Sequence, residues 1–344
     1  MSSKLQPPVG VSAAQGALKA TLPLREPRRT ALTLRAAIAL VATAALILLP
    51  LALRSEEHAY FIALVGIWTI FAVGFDFAFG VAGLLSFGHA AFFGVGGYVV
   101  GLLTLNGMPF FPALGLAAVA GALLALLFSA VSLRASGIFF AIFTLILAQL
   151  IYLLLGVKLT WLTGGIDGLP GVPRPELFGV NLLSNWNFAV FVMVIAAAMV
   201  WFSLLLRVSP FGQVLSAVRQ NKDRARQIGY SVNHYSAAAF MISGAYSAVA
   251  GGLNASLISF IGPEALHWTT SGDVLIATLV GGAGTALGPA IGAVITQTMN
   301  VTLEKNSYVM QAIFGLVMIL FSVWLPVGLW GFAKARLAAW RGRA

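Results

Sequence analysis

The chain contains no cysteine, which excludes a disulfide framework and any thiolate metal or redox centre. It is also poor in charge. Asp, Glu, Lys and Arg make up 9% of its 344 residues, against roughly 25% in a soluble globular domain. Acids are the scarcer sign, with 10 Asp and Glu against 20 Lys and Arg. The histidines His58, His89, His234 and His267 are far apart and form no HExxH pair, so a hydrolytic metal site is not expected. No GxxxxGK[ST] phosphate loop occurs, and the chain has no route to ATP hydrolysis through one. No nucleophile elbow or paired helical carboxylates stand out. Catalysis, a bound metal and a cofactor are all unexpected.

What is present is apolar. Hydrophobic residues are 60% of the chain and the mean hydropathy is +0.95, which identifies an integral membrane protein. A β-barrel requires segments of about ten alternating residues, whereas residues 110–133 run apolar almost without interruption. The 37 glycines lie mostly within apolar stretches, where small residues let membrane helices approach closely. The expected fold is therefore all-α, a polytopic transmembrane helical bundle.

A membrane helix needs about 20 mainly apolar residues. Candidates are 36–53, 59–79, 84–105, 110–133, 137–157, 186–206 and 235–258, followed by apolar regions at 273–301 and 308–330. The first has no small-residue cleavage site and reads as a retained helix. Residues 1–35 form a basic tail, 36–332 a membrane domain and 333–344 a second basic tail.

Lys and Arg flanking membrane helices stay in the cytoplasm. Lys4, Lys19, Arg25, Arg28, Arg29 and Arg35 oppose only Glu26 in the first tail, which places the N-terminus inside. Alternation then puts the loop 158–185 outside and the segment 207–234 inside. That segment carries Arg207, Arg219, Lys222, Arg224 and Arg226 against Asp223. Glu56, Glu57, Asp167, Glu176 and Glu264 fall in outer loops. The net charge of +10 is thus a topology signal. Nucleic-acid binding would need basic and aromatic residues interleaved on a soluble face.

If 273–301 were one helix, Lys334, Arg336, Arg341 and Arg343 would lie outside, against the rule. The stretch 281–289 (GGAGTALGP) is a natural break, because Gly and Pro interrupt helices. Two short arms, 273–280 and 290–301, restore an inside C-terminus. About eight to ten membrane segments follow, at least one of them broken or re-entrant.

Three runs carry polar or special backbone chemistry. The first is 80–98, dense in glycine and containing Ser86 and His89, with Asp76 just before it. Polar groups at membrane depth are costly and tend to face cavities, although tight packing with backbone partners explains them equally well. The second is the loop 162–173, rich in Gly and Pro and suited to compact turns; it is a connector or a docking surface. The third is 209–229. Ser209 caps a helix started by Pro210, Val214, Leu215, Val218 and Ile228 form an apolar stripe, and Gly229 is a stop. Such a helix lies on anionic lipid or docks into a partner.

At these runs the sequence resembles the membrane subunits of branched-chain amino-acid ABC importers, in particular the LivM-type permease. The matching pieces are 83–93 (GLLSFGHAAFF), 133–149 (LRASGIFFAIFTLILAQ), 163–169 (TGGIDGL), 212–229 and 281–292 (GGAGTALGPAIG), spread in order over residues 60–300. The resemblance implies a permease subunit in the bacterial inner (plasma) membrane, both termini cytoplasmic. It would form the pathway for branched-chain amino acids or related small polar solutes. Its implied partners are a second homologous permease subunit, two cytoplasmic ATP-binding subunits, a periplasmic solute-binding protein and membrane lipid. The cytoplasmic loop 207–234 would couple to the ATPase, with Arg219, Asp223, Arg224, Ala225 and Gly229 as candidate contacts. Here Asp223-Arg224-Ala225-Arg226 stands where the family usually carries an acid and paired alanines. Gly164, Gly165, Asp167 and Gly168 are candidates for docking the binding protein. The candidate substrate pathway comprises Asp76, Ser86, Gly88, His89, Thr144, Gly281, Gly282 and Gly284. The competing reading is a stand-alone secondary transporter or channel for a small polar solute, with Asp76 and His89 carrying coupling protons.

Overall fold

The computed structural model describes residues 56–135, 137–177, 180–285, 287–303, 315 and 328–332. The expected first helix at 36–53, most of the last at 308–330 and both basic tails lie outside the described residues.

Lipid offers no hydrogen-bond partners, so each span must satisfy its own backbone, and the apolar runs do so as helices. They are α1 (Glu56–Asp76), α2 (His89–Leu105), α3 (Phe110–Ser132) and α4 (Ile138–Leu153). A single turn, α5 (Thr160–Thr163), follows. Next come α6 (Asn185–Val208), α7 (Pro210–Gln220), α8 (Lys222–Gln227) and α9 (Val232–Ile258). The last two are α10 (Trp268–Gly281) and α11 (Gly288–Leu303). Five of the described helices are long and apolar enough to cross a membrane, α1 and α4 being prolonged by π-helical turns at Phe77–Val81 and Leu154–Lys158. The protein is an all-α polytopic membrane protein.

Helix α9 packs along α3 and α2, and α1 packs against α6, α9 and the α10–α11 pair. Small residues set these distances. A Cβ on Gly121 would lie 2.5 Å from the Gly244 carbonyl oxygen, and one on Gly244 would lie 2.6 Å from that of Gly121, so α3 and α9 touch backbone to backbone. In contrast α4 is the least buried span and presents Ile138, Phe139, Ile146 and Leu150 outward. At one end of the bundle β1 (Leu169–Pro170) pairs antiparallel with β4 (Phe260–Ile261). A second two-residue pair joins β2 (Glu176–Leu177) to β3 (Val180–Asn181).

The structure corrects three readings. Residues 84–105 are not one helix: residues 83–88 are non-helical and α2 starts at His89. Residues 209–229 are not one helix either, because Asn221 is extended (φ −159°) and its side chain accepts the Arg224 N–H, capping α8. The broken helix has longer arms and a shorter break than expected, since α10 and α11 extend beyond 273–280 and 290–301. At about 1.5 Å per residue, their 14 and 16 residues fall short of the roughly 30 Å hydrocarbon core.

Candidate functional site

Two interrupted backbones meet at one end of α1. The first is residues 83–88. Non-helical backbone at membrane depth survives only where protein or a cavity satisfies its polar groups, and here hydroxyls from three places do so. The Gly88 N–H donates to Ser86 Oγ at 3.0 Å, the Phe87 N–H to Thr144 Oγ1 of α4 at 3.2 Å, and the Ala90 N–H to Ser271 Oγ of α10 at 2.8 Å. Gly83 opens the segment at φ +73°, a conformation that favours glycine.

His89 follows at the first turn of α2. Ser243 Oγ donates to the Gly74 carbonyl at 2.6 Å, so its contact with His89 Nε2 at 2.7 Å is accepted from the ring. This selects the Nε2–H tautomer. Nδ1 has no hydrogen-bond partner among the described residues. Phe75, Phe92 and Phe240 box the ring with centroids at 4.7, 5.4 and 5.5 Å. Ser86, His89 and Thr144 are fully buried. In this conformation their polar atoms hold a packed junction of α1, α2, α4, α9 and α10.

The second interruption is residues 282–287, between α10 and α11. The two helices run antiparallel in close contact, where a Cβ on Gly281 would overlap the Gly288 carbonyl and one on Gly292 the Ala277 carbonyl. Thr285 Oγ1 donates to the Gly282 carbonyl at 2.6 Å and accepts the Gly288 N–H at 3.1 Å, closing the turn.

Asp76 joins this turn to the rest. Its Oδ1 accepts the Gly284 N–H at 2.7 Å, and its Oδ2 pairs with Arg207 Nη2 at 2.5 Å. The carboxylate is fully buried and the Arg207 side chain is 12% exposed. Desolvating a carboxylate this completely is tolerable only with a cation and hydrogen bonds in place, and both are supplied from other elements. Asp76, expected on the substrate pathway, here has one oxygen engaged by the Gly284 amide and the other by Arg207. Sequence reading missed Arg207 as its partner, although a lone acid beside a span calls for a cation.

The segment expected to couple to an ATPase divides into inward and outward residues. Ser209 Oγ accepts the Gly212 N–H and Pro210 occupies the first turn of α7, as the sequence indicates. Gly229 has φ +94°, and the Gly229 and Tyr230 N–H groups donate to the Arg226 and Ala225 carbonyls, a Schellman stop for α8. Two residues of this set also make contacts inward. Ala225 is buried at 2% exposure in a small core with Val218 and Val232, so it supports α8 from within. Arg219 is exposed and turns its Nη1 toward the Gly80 carbonyl, which the π-helical turn frees. Asp223 and Arg224 remain exposed, with an Asp223–Arg226 pair at 3.4 Å. A shallow groove beside them is lined by Gln213, Ser216, Gln220, Asn221, Arg224 and Ile228.

The loop expected to dock an external protein lies at the other end of α9. Asp167 is exposed, whereas Gly165 and Gly168 are buried. Thr163 Oγ1 accepts the Gly165 N–H at 3.2 Å, and a Cβ on Gly168 would lie 2.5 Å from the Ile261 carbonyl oxygen. The β1–β4 pair thus fixes the loop and leaves Trp161 and Ile166 at its surface, 79% and 83% exposed. Among the described residues no group of three or more His, Asp or Glu is placed to hold a metal.

A family model described as branched-chain amino acid transport system, permease component, matches residues 57–322. The high-affinity branched-chain amino acid transport system permease protein LivM of Salmonella typhimurium is 30% identical over 304 residues, 81% of this chain and 71% of that protein. LivM of Escherichia coli K12 is 29% identical over the same shares. The autoinducer 2 import system permease protein LsrC of Salmonella paratyphi B is 32% identical over 152 residues, 40% of each chain. No solved structure matches significantly.

Proposed function

The chain belongs to the branched-chain amino acid transport system permease family, and from that premise we propose that it forms the membrane pathway for branched-chain amino acids or a similar small polar solute. It is the permease subunit of an ATP-driven importer, and no part of its sequence supplies a phosphate loop. ATP hydrolysis then belongs to two separate cytoplasmic chains. A periplasmic binding protein delivers the solute, and a second homologous permease completes the pathway.

One observation carries this reading beyond family membership. Both non-helical segments, 83–88 and 282–287, converge on α1 next to the α6–α7 corner. Discontinuous membrane helices occur where backbone lines a transport site. When this junction opens, a zwitterionic solute could replace the hydroxyls that now accept these amides, without a charged wall, which favours release over trapping. In this proposal Ser86, Gly88, His89 and Thr144 set the shape of one side of the pathway, and Gly281, Gly282 and Gly284 the other. The exposed residues Asp223 and Arg224, the neighbouring groove and the stop at Gly229 form the ATPase face. Gly164, Gly165, Asp167 and Gly168, with their rigid loop, form the face for the binding protein.

Reconstitution tests the proposal. Vesicles holding the assembled permease pair, ATPase chains and binding protein are expected to accumulate labelled leucine, isoleucine or valine with ATP and not with a proton gradient. Proton-driven uptake by this chain in ATPase-free vesicles would instead establish a secondary transporter. The pairing of Asp76 with Arg207 speaks against that alternative, because it removes the acid that would carry the proton.

A further inference from the structure

We infer that the Asp76–Arg207 ion pair is the relay that carries movement of the ATPase-facing helices to the broken hairpin α10–α11. The inference rests on the importer reading and adds to it the residues through which coupling passes.

The geometry supplies a continuous chain. Helix α7 meets the end of α6 at close quarters, since a Cβ on Gly212 would overlap the Leu206 carbonyl and lie 2.6 Å from the Arg207 carbonyl oxygen. The α6–α7 corner therefore moves as one piece. Arg207 projects from that corner, steadied by Ser203 Oγ at 3.4 Å from its Nε, and grips Asp76 Oδ2. The other carboxylate oxygen holds the Gly284 N–H in the middle of the 282–287 turn. A second, parallel connection runs from Arg219 of α7 to the Gly80 carbonyl, and Arg219 Cγ lies 3.0 Å from where a Gly83 side chain would begin. A displacement of the α6–α7 corner thus reaches the 282–287 turn through two side chains, Arg207 and Asp76, and residues 80–83 through one, Arg219. A fully buried carboxylate between a cation and a backbone amide is also a costly thing to break by halves, which suits a two-state connection.

The native chain lacks cysteine, so Ala283→Cys places a single thiol on the 282–287 turn, and its reaction with a water-soluble maleimide reads that turn in the assembled complex. Labelling is expected to differ by roughly fivefold or more between nucleotide-free and ATP-vanadate-trapped transporter, a span typical of coupled sites. In Asp76→Asn and Arg207→Gln backgrounds that difference is expected to collapse, with uptake falling about tenfold while ATP hydrolysis continues. Where Asp76→Asn prevents insertion, Arg207→Lys keeps the charge, loses the guanidinium that joins Asp76 to Ser203 and should reduce the difference partially. A nucleotide-dependent difference that persists in both variants overturns the relay. So does its absence in the Ala283→Cys transporter while ATP still drives uptake. A complex with no ATP hydrolysis at all overturns the importer reading, and the relay with it, and is recognised by that assay alone.

Discussion

Gly251 of α9 lies against the carbonyl oxygen of Phe93 on α2, so closely that a Cβ on the glycine would overlap that oxygen. The obstacle is backbone and cannot rotate away, unlike the end of a flexible side chain. Overpacking a well-filled interface usually costs about 1–3 kcal/mol, and this site stands at the upper end. Gly251→Val is expected to lower the melting temperature of the detergent-solubilised chain and to reduce the recovered monodisperse fraction severely. Recovery equal to that of the native chain would show that α2 and α9 separate more readily than their packing implies.

The hydroxyls that hold residues 83–90 make a separable prediction. Thr144→Val and Ser271→Ala each remove the acceptor of one backbone N–H, the part-buried one of Phe87 and the buried one of Ala90 respectively. Leaving such a donor unsatisfied costs about 1–3 kcal/mol. Amide hydrogen exchange of residues 83–90 should therefore accelerate in each variant, with exchange in α3 unchanged. Equal protection in native and variant chains would mean that water already serves these donors.

The contrast between local and distant determinants explains what the sequence disclosed. Long apolar runs make helices wherever lipid is the solvent, so α1, α3, α4, α6 and α9 were legible, and so were the break at 281–289 and the caps at Ser209 and Gly229, which depend on neighbouring residues. The start of α2 was not legible. Leu84 and Leu85 read as helix, but residues 83–88 leave that state where Thr144 takes the Phe87 N–H from 57 positions away and Ser271 takes the Ala90 N–H at the start of α2 from 181 away. Asp76 was visible as an anomaly, but its answer, Arg207, lies 131 residues away. The contact of Arg219 with Gly80 and the burial of Ala225 were not legible for a related reason: an amphipathic pattern marks a buried face without saying which charged residue reaches across it.

The short helix α8 is held by its ends. Asn221 accepts the Arg224 N–H at 2.9 Å, and a lost N-cap costs about 1 kcal/mol. Asn221→Ala should therefore fray residues 222–228, measured as faster amide exchange. Gly229→Ile forces a β-branched residue into φ +94°, with free space around the position, so the strain is conformational and confined to the stop. Insertion is expected to stay normal while uptake per ATP hydrolysed falls several-fold. Native coupling at normal expression would remove this corner from the ATPase face.

Sidedness follows from charge and from the length of α9. Its 27 residues extend about 40 Å, enough to set the α7–α8 segment and the β1–β4 loop on opposite faces of a membrane. The first carries Arg219, Lys222, Arg224 and Arg226 beside a single acid, Asp223, whereas Asp167 and Glu264 lie at the second. Basic flanks stay cytoplasmic, so the loop is expected to face outward. Gly168 is a poor reporter, being buried under the Ile261 carbonyl at φ +65°, but Ile166 is 83% exposed. A membrane-impermeant thiol reagent applied to intact cells is expected to modify Ile166→Cys and to leave Asn221→Cys unmodified until the membrane is opened. The same reagent should miss Ser2→Cys and Gly342→Cys, which lie outside the described residues. Modification at Gly342→Cys from outside would require an odd number of crossings and so make 273–301 a single pass, against the short antiparallel arms of α10 and α11.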